Sequence, residues 1–245
     1  MKRRYLISVY AVLFFATATV RAAVYHEGFE IGSGGWVNSG QNATWHVEST
    51  GGVGDSGYLE GARPTYSPAF EPDSGEAAAF AAGNLEAVYG QWIHISFYGK
   101  IITLGGTGRD VLHLFGYDSG IGPVNATSRY THWVRTVSAA ADLHEFNQWK
   151  EISFIINTNW SNQQARAEGW TMLTGSGRGE ADWSTVMHDI YTHSPFYGFN
   201  IGNTTVSGID EFRMETVPVP SSALLLGLGL TGLSFIHLRK KPAGR

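Results

Sequence analysis

From Gln91 to Lys100 the chain alternates strictly, with Ile93, Ile95 and Phe97 on one face and Trp92, His94, Ser96 and Tyr98 on the other. A period of two places successive side chains on opposite sides of an extended backbone, so this stretch predicts a half-buried strand. Val111 to Phe115, His132 to Val137, Trp149 to Ile156 and Gly208 to Met214 show the same habit. Between them lie turn-forming stretches rich in glycine and asparagine: Gly32 to Gly35, Gly51 to Gly57, Gly105 to Gly108 and Gly175 to Gly179. Many short strands joined in this way predict an all-β, antiparallel sandwich. One short helix is expected against it, over 183–190, where Asp182 suits the N-cap and Trp183, Val186, Met187 and Ile190 recur at helical spacing.

The two ends are of another kind. Lys2, Arg3 and Arg4 precede an apolar stretch from Tyr5 to Val20, and Val20-Arg21-Ala22 supplies small residues for cleavage, which reads as a secretory signal peptide over 1–22. At the other end stand Val217, Pro218, Val219 and Pro220, then Ser221 and Ser222, an apolar run from Ala223 to Leu238, and the basic residues Arg239, Lys240 and Lys241. As a helix, Ser221 to Leu238 would reach about 27 Å, close to the roughly 30 Å of a bilayer's hydrocarbon. The basic cluster lies only on its C-terminal side, so the positive-inside bias keeps the tail cytoplasmic and places 23–216, read as one domain, across the inner membrane.

The order of motif, span and basic tail over 217–245 resembles the PEP-CTERM sorting signal of Gram-negative bacteria. It departs from that pattern at Val219, where a glutamate usually lies between the prolines. The resemblance implies an exported protein held briefly at the membrane, cut by an exosortase-type protease, and passed to the cell surface or an extracellular matrix rich in exopolysaccharide. A tail-anchored helix that is never processed is the other reading of the same residues.

Removing both ends changes the charge. Of 17 Lys and Arg, eight lie in the end segments, whereas all 21 Asp and Glu lie between them; nine bases against 21 acids leave the central part at −12. Nucleic acid is excluded as a partner, because its recognition depends on a basic patch. There is no cysteine, so no disulfide supports the fold, and all eight tryptophans fall in the central part, where about 198 residues suffice for one substantial core.

The domain opens on His26-Glu27-Gly28-Phe29-Glu30 and Gly35-Trp36, passes through Gly57-Tyr58-Leu59, and closes on Gly208-Ile209-Asp210-Glu211-Phe212. This series resembles jelly-roll modules of the laminin B and galactose-binding-like kind. The resemblance implies that first and last strands lie side by side, that a helix occupies 195–201, and that acids on the terminal strands hold a structural calcium ion. Glu27, Glu30, Asp210 and Glu211 are the expected ligands; solvated acids at strand ends are the alternative.

Catalytic motifs do not hold up. Gly54-Asp55-Ser56-Gly57 has no Asp before Asp55 to complete a trypsin-like His-Asp-Ser order and no hydrophobic strand of an esterase running into it, so it reads as a turn. Carbohydrate sites pair flat aromatic rings with amides and acids. Trp92 and Tyr98 on the alternating strand, and Trp160 among Asn159 and Asn162, are the candidates for such contacts. The expectation is a non-catalytic, exopolysaccharide-associated binding module. A structural matrix protein without a defined ligand and a secreted glycan-active enzyme are the alternatives.

Overall fold

The alternating segment forms the long strand β6 (Trp92–Thr103) of an antiparallel β-sandwich. The computed structural model describes residues 23–38, 42–63, 68–103, 110–120, 130–136, 147–173, 180–191, 196–200 and 205–217. The signal peptide, Pro218, Val219, Pro220, the apolar run and Arg239, Lys240 and Lys241 lie outside these. Among the described residues no helix is long and apolar enough to cross a membrane. The chain divides into two units, Ala22–Thr216 and the end segments 1–21 with 217–245. The sandwich is the first of these.

The remaining strands are β1 (Val24–Glu27), β2 (Trp36–Asn38), β3 (Thr44–Glu48), β4 (Tyr58–Arg63), β5 (Ala69–Pro72), β7 (Asp110–Asp118), β8 (Tyr130–Thr136), β9 (Lys150–Asn157), β10 (Thr171–Met172), β11 (Phe196–Asn200) and β12 (Thr205–Thr216). One six-stranded sheet runs β3-β4-β12-β6-β9, with β1 beside the second half of β12; the other runs β10-β8-β7-β11-β5-β2. Every pairing is antiparallel. The chain passes back and forth between the sheets, the winding that a jelly roll requires. First and last strands do lie side by side, Tyr25 opposite Met214.

Alternation sorts the side chains as anticipated. Ile93, Ile95, Phe97, Ile152, Phe154, Ile156, Phe212 and Met214 are buried on the inner face of the first sheet, against Phe70, Phe115 and Trp133 of the second. Asn38 crosses between the sheets: its Nδ2 donates to the carbonyls of Thr44 (2.9 Å) and Ala62 (3.0 Å), and its Oδ1 accepts the Ala69 N–H at 2.8 Å. A Cβ on Gly61 would stand 2.8 Å from Phe70 Cε1 and 2.9 Å from Asn38 Nδ2, so glycine is required there by close approach.

Two expectations are corrected. The single helix becomes four short ones among the described residues: α1 (Gly75–Ala81), α2 (Leu85–Tyr89), α3 (Asn162–Ala167) and α4 (Trp183–His188). Alanine-rich Gly75–Ala81 buries Ala77 and Ala81, and α3 opens with a complete capping box between Ser161 and Gln164. The helix expected over 195–201 is instead strand β11, paired with β7 and β5, because Phe196-Tyr197-Gly198-Phe199 has the aromatic content that a sheet interior favours.

Candidate functional site

At one end of the sandwich, where β9 runs out and α4 begins, aromatic rings form a continuous chain from core to surface. Trp183 is buried among Trp133 (centroids 5.6 Å), Trp170 (4.9 Å) and Phe115 (5.9 Å). Trp160, half-buried, packs on Trp183 at 5.6 Å. Trp92, 37% exposed, meets Trp160 edge to face at 6.2 Å and 89°. The outermost ring therefore rests on a rigid stack.

Asn157, the last residue of β9, sets this geometry. Its carbonyl oxygen accepts the indole N–H of Trp183 at 2.8 Å and the backbone N–H of Trp160 at 3.3 Å, and its side-chain Oδ1 accepts the Asn159 N–H at 2.8 Å. The resulting turn is of the Asx type, in which a short polar side chain imitates a backbone turn. Asn157 is buried and opposite Trp92 in the register of β9 and β6.

Polar groups line the same rim. Glu86, in the first turn of α2, accepts from Asn159 Nδ2 at 3.0 Å on Oε1 and from the Thr158 hydroxyl at 3.3 Å on Oε2. Its Oε2 also lies 2.7 Å from His188 Nε2, while His188 Nδ1 faces the Ser184 carbonyl at 2.5 Å. Two indole rings, an amide, a carboxylate and an imidazole thus stand together at the surface. Such a set offers an apolar ring face to sugar C–H groups and oriented donors and acceptors to hydroxyls.

The structure gathers three of the five ligand-binding candidates here: Trp92, Trp160 and Asn159. Asn162 takes a different part. Asp182 occupies the N-cap of α4 but makes no side-chain cap bond; Asn162 Oδ1 accepts the Trp183 N–H at 2.8 Å and its Nδ2 donates to Asp182 Oδ1 at 2.6 Å. Tyr98 shares the outer face of β6 but lies six residues from Trp92, roughly 20 Å at the usual rise of a strand. Glu86 and His188 were not legible as partners, since α2 carries no motif and they are distant in sequence.

The four acids expected to hold calcium have different partners; Glu30 lies in the bend after β1 and not on a strand. Between Tyr98 and Ser96 on β6, β12 advances three residues, from Asp210 to Arg213, and this bulge holds Glu211 at φ 50°. Asp210 is fully buried; its Oδ2 accepts from Val53 N–H (2.7 Å) and Ser56 Oγ (3.0 Å), its Oδ1 from Glu211 N–H (2.7 Å). Burial raises its pKa, and those hydrogen bonds oppose the rise. Glu30 points at the same loop, with Gly57 N–H 3.4 Å from its Oε2. By contrast, Glu27 accepts from Phe29 N–H at 2.8 Å and Glu211 lies 2.6 Å from His26 Nε2. The Gly54 to Gly57 motif is a turn, with Gly54 and Asp55 both at φ 68°.

Lys100 secures the neighbouring loop. Its Nζ lies 4.3 Å over the Tyr58 ring and 4.5 Å over the Trp149 ring, and both Lys100 Nζ (3.1 Å) and Trp149 Nε1 (2.9 Å) donate to the Gly51 carbonyl. Burial lowers the lysine's pKa.

No protein-family model matches the chain, and no curated protein matches it either. Solved structures are similar at low identity. The CBM22-2 xylan-binding domain from Paenibacillus barcinonensis Xyn10C aligns over 79% of this chain and 99% of its own, at 16% identity and a TM-score of 0.43. The family 11 carbohydrate-binding module of a cellulosomal cellulase of Clostridium thermocellum aligns over 78% and 95%, at 14% identity and 0.43. Cellulose induced protein Cip1 aligns over 80% and 98%, at 10% identity and 0.41.

Proposed function

We propose that residues 23–216 form a non-catalytic glycan-binding module of an exported cell-envelope or matrix protein, with exopolysaccharide as its partner. The observation that carries this reading is the pair of exposed Trp92 and half-buried Trp160, braced on buried Trp183, with Asn159, Glu86 and His188 beside it. A ring held rigidly at the surface loses little entropy when a sugar stacks on it. The net acidic charge of the module favours neutral glycans over anionic ones. In affinity electrophoresis through gels containing exopolysaccharide, the full-length protein is retarded and Trp160→Ala restores free mobility. Equal retardation of the variant would remove the site.

Delivery belongs to the same reading: the N-terminal segment directs export, and the 217–245 segment is held in the membrane until an exosortase-type protease cuts it. Mass spectrometry of the native product decides this, with a C-terminus near Pro220 expected and one at Arg245 contradicting it.

A structural calcium ion is the remaining part. Glu30 and Asp210 both face the 51–57 loop, and the carbonyl oxygens of Phe29 and Glu48 approach Gly57, at 2.8 and 3.2 Å from where a Cβ would stand. Carboxylates with carbonyl oxygens are the donor set that calcium prefers. Glu27 and Glu211 have other partners and fall outside this set.

A further inference from the structure

The outer face of the first sheet carries a second cluster, far in sequence from the tryptophan rim. In the pairing of β3 with β4, His46 stands opposite Glu60 and Glu48 opposite Tyr58, so all four share one face. His46 Nε2 lies 2.8 Å from Glu48 Oε1 and 3.8 Å from Glu60 Oε1. The donor atoms of these three residues all lie within 4.8 Å of one another, and among the described residues no other group of three or more His, Asp or Glu does so. The Tyr58 hydroxyl donates to Glu60 Oε2 at 2.9 Å, which leaves Oε1 turned towards His46.

Two carboxylates converging on one imidazole are a poor arrangement for a lone ion pair, because the acids repel each other. They suit a cation between them. Ligands bound tetrahedrally at about 2.0–2.1 Å stand roughly 3.3 Å apart, and the observed separations fall on either side of that value. Imidazole nitrogen points to the zinc class of metals; calcium takes six to eight oxygens instead. The antiparallel ladder fixes the three Cβ positions, so little beyond the glutamate rotamers has to adjust.

We propose that His46, Glu48 and Glu60 form a site for a first-row divalent transition metal such as zinc, with Tyr58 as a positioning residue that orients Glu60. Three protein ligands leave a coordination position for water or another oxygen ligand. The site is independent of the glycan reading, and its test does not involve glycan.

The full-length protein, freed of metal by chelation, is titrated with Co2+ and followed by visible absorption. One equivalent should produce the d–d spectrum of a site with fewer than six ligands, and Zn2+ should abolish it. His46→Ala and Glu60→Gln should each weaken binding at least tenfold, and Tyr58→Phe by about ten- to a hundredfold, the usual cost of losing an outer partner. His94→Ala is the control for adventitious binding, since His94 has one carboxylate neighbour, Glu215 at 2.9 Å. His46 is more than half exposed, so circular dichroism should show its variant folded. A featureless cobalt titration, undiminished binding in folded His46→Ala, or equal loss in His94→Ala would overturn the proposal.

Discussion

The carbonyl oxygen of Asn157 accepts the indole N–H of Trp183 at 2.8 Å, and through this one atom the end of a sheet strand is tied to the buried base of the surface tryptophans. The Asn157 side chain meanwhile shapes the turn that carries Asn159 and Trp160. Asn157→Ala keeps the carbonyl and removes only the turn bond. It is expected to cost about 1 kcal/mol of stability, the usual net worth of one such bond, and to weaken glycan retention by loosening Trp160. Denaturant unfolding with affinity electrophoresis checks both; unchanged retention would show that the turn does not position the ring.

Asn38 joins the two sheets through three hydrogen bonds to backbone groups. Asn38→Leu would remove the side-chain partner of the buried Ala69 N–H and of two part-buried carbonyls, at an expected cost of about 2–4 kcal/mol. For a domain of this size that lowers the melting midpoint by roughly 5–15 °C. Differential scanning calorimetry measures it.

Asn162→Ala tests the capping of α4. Loss of the side-chain acceptor at Trp183 N–H should reduce stability by about 1 kcal/mol, typical for an N-cap. If Asn162 acts only as this cap, glycan retention of the folded variant stays at the wild-type level in the same gel assay.

Asp210 makes the pH dependence predictable. Burial raises its pKa above the ordinary 3.8, so the folded protein holds the proton more tightly than the unfolded chain. The stability this provides is fully present below 3.8 and is lost as pH rises through the folded pKa. Asp210→Asn should flatten that slope in urea unfolding measured at several pH values. Calcium, which requires the ionised carboxylate, acts in the opposite sense: millimolar calcium should raise the midpoint at neutral pH, and Glu30→Gln should remove the gain. A midpoint indifferent to EDTA and calcium would end the calcium proposal.

Much of the sandwich was legible because alternation is a local property. Gln91 to Lys100 predicts its own two faces, and so do the segments that form its neighbours β9 and β12 and, in the other sheet, β8. The short strands β1 to β5 were not legible, since three to six residues carry too little of the period, and β11 was mistaken for a helix on resemblance where its aromatic content favoured a sheet. Trp160 was recognisable among amides, but Glu86 meets Asn159, and His188 meets Glu86, only through tertiary structure. Asn162 shows the limit of composition: an amide beside a surface tryptophan looks like a ligand contact, yet its bonds go to the start of a helix 20 residues away. Pairing of first and last strands was foreseen, whereas the bulge that holds Glu211 at φ 50° depends on register.

In the proposed function Trp92 and Trp160 form a glycan-stacking surface. Isothermal titration of the full-length protein with exopolysaccharide from the producing cells, compared with folded Trp92→Ala, Trp160→Ala and the variant carrying both, measures this. Saturable binding that weakens at least tenfold in each variant, about 1.4 kcal/mol, is the predicted result. Wild-type affinity in the double variant would contradict it.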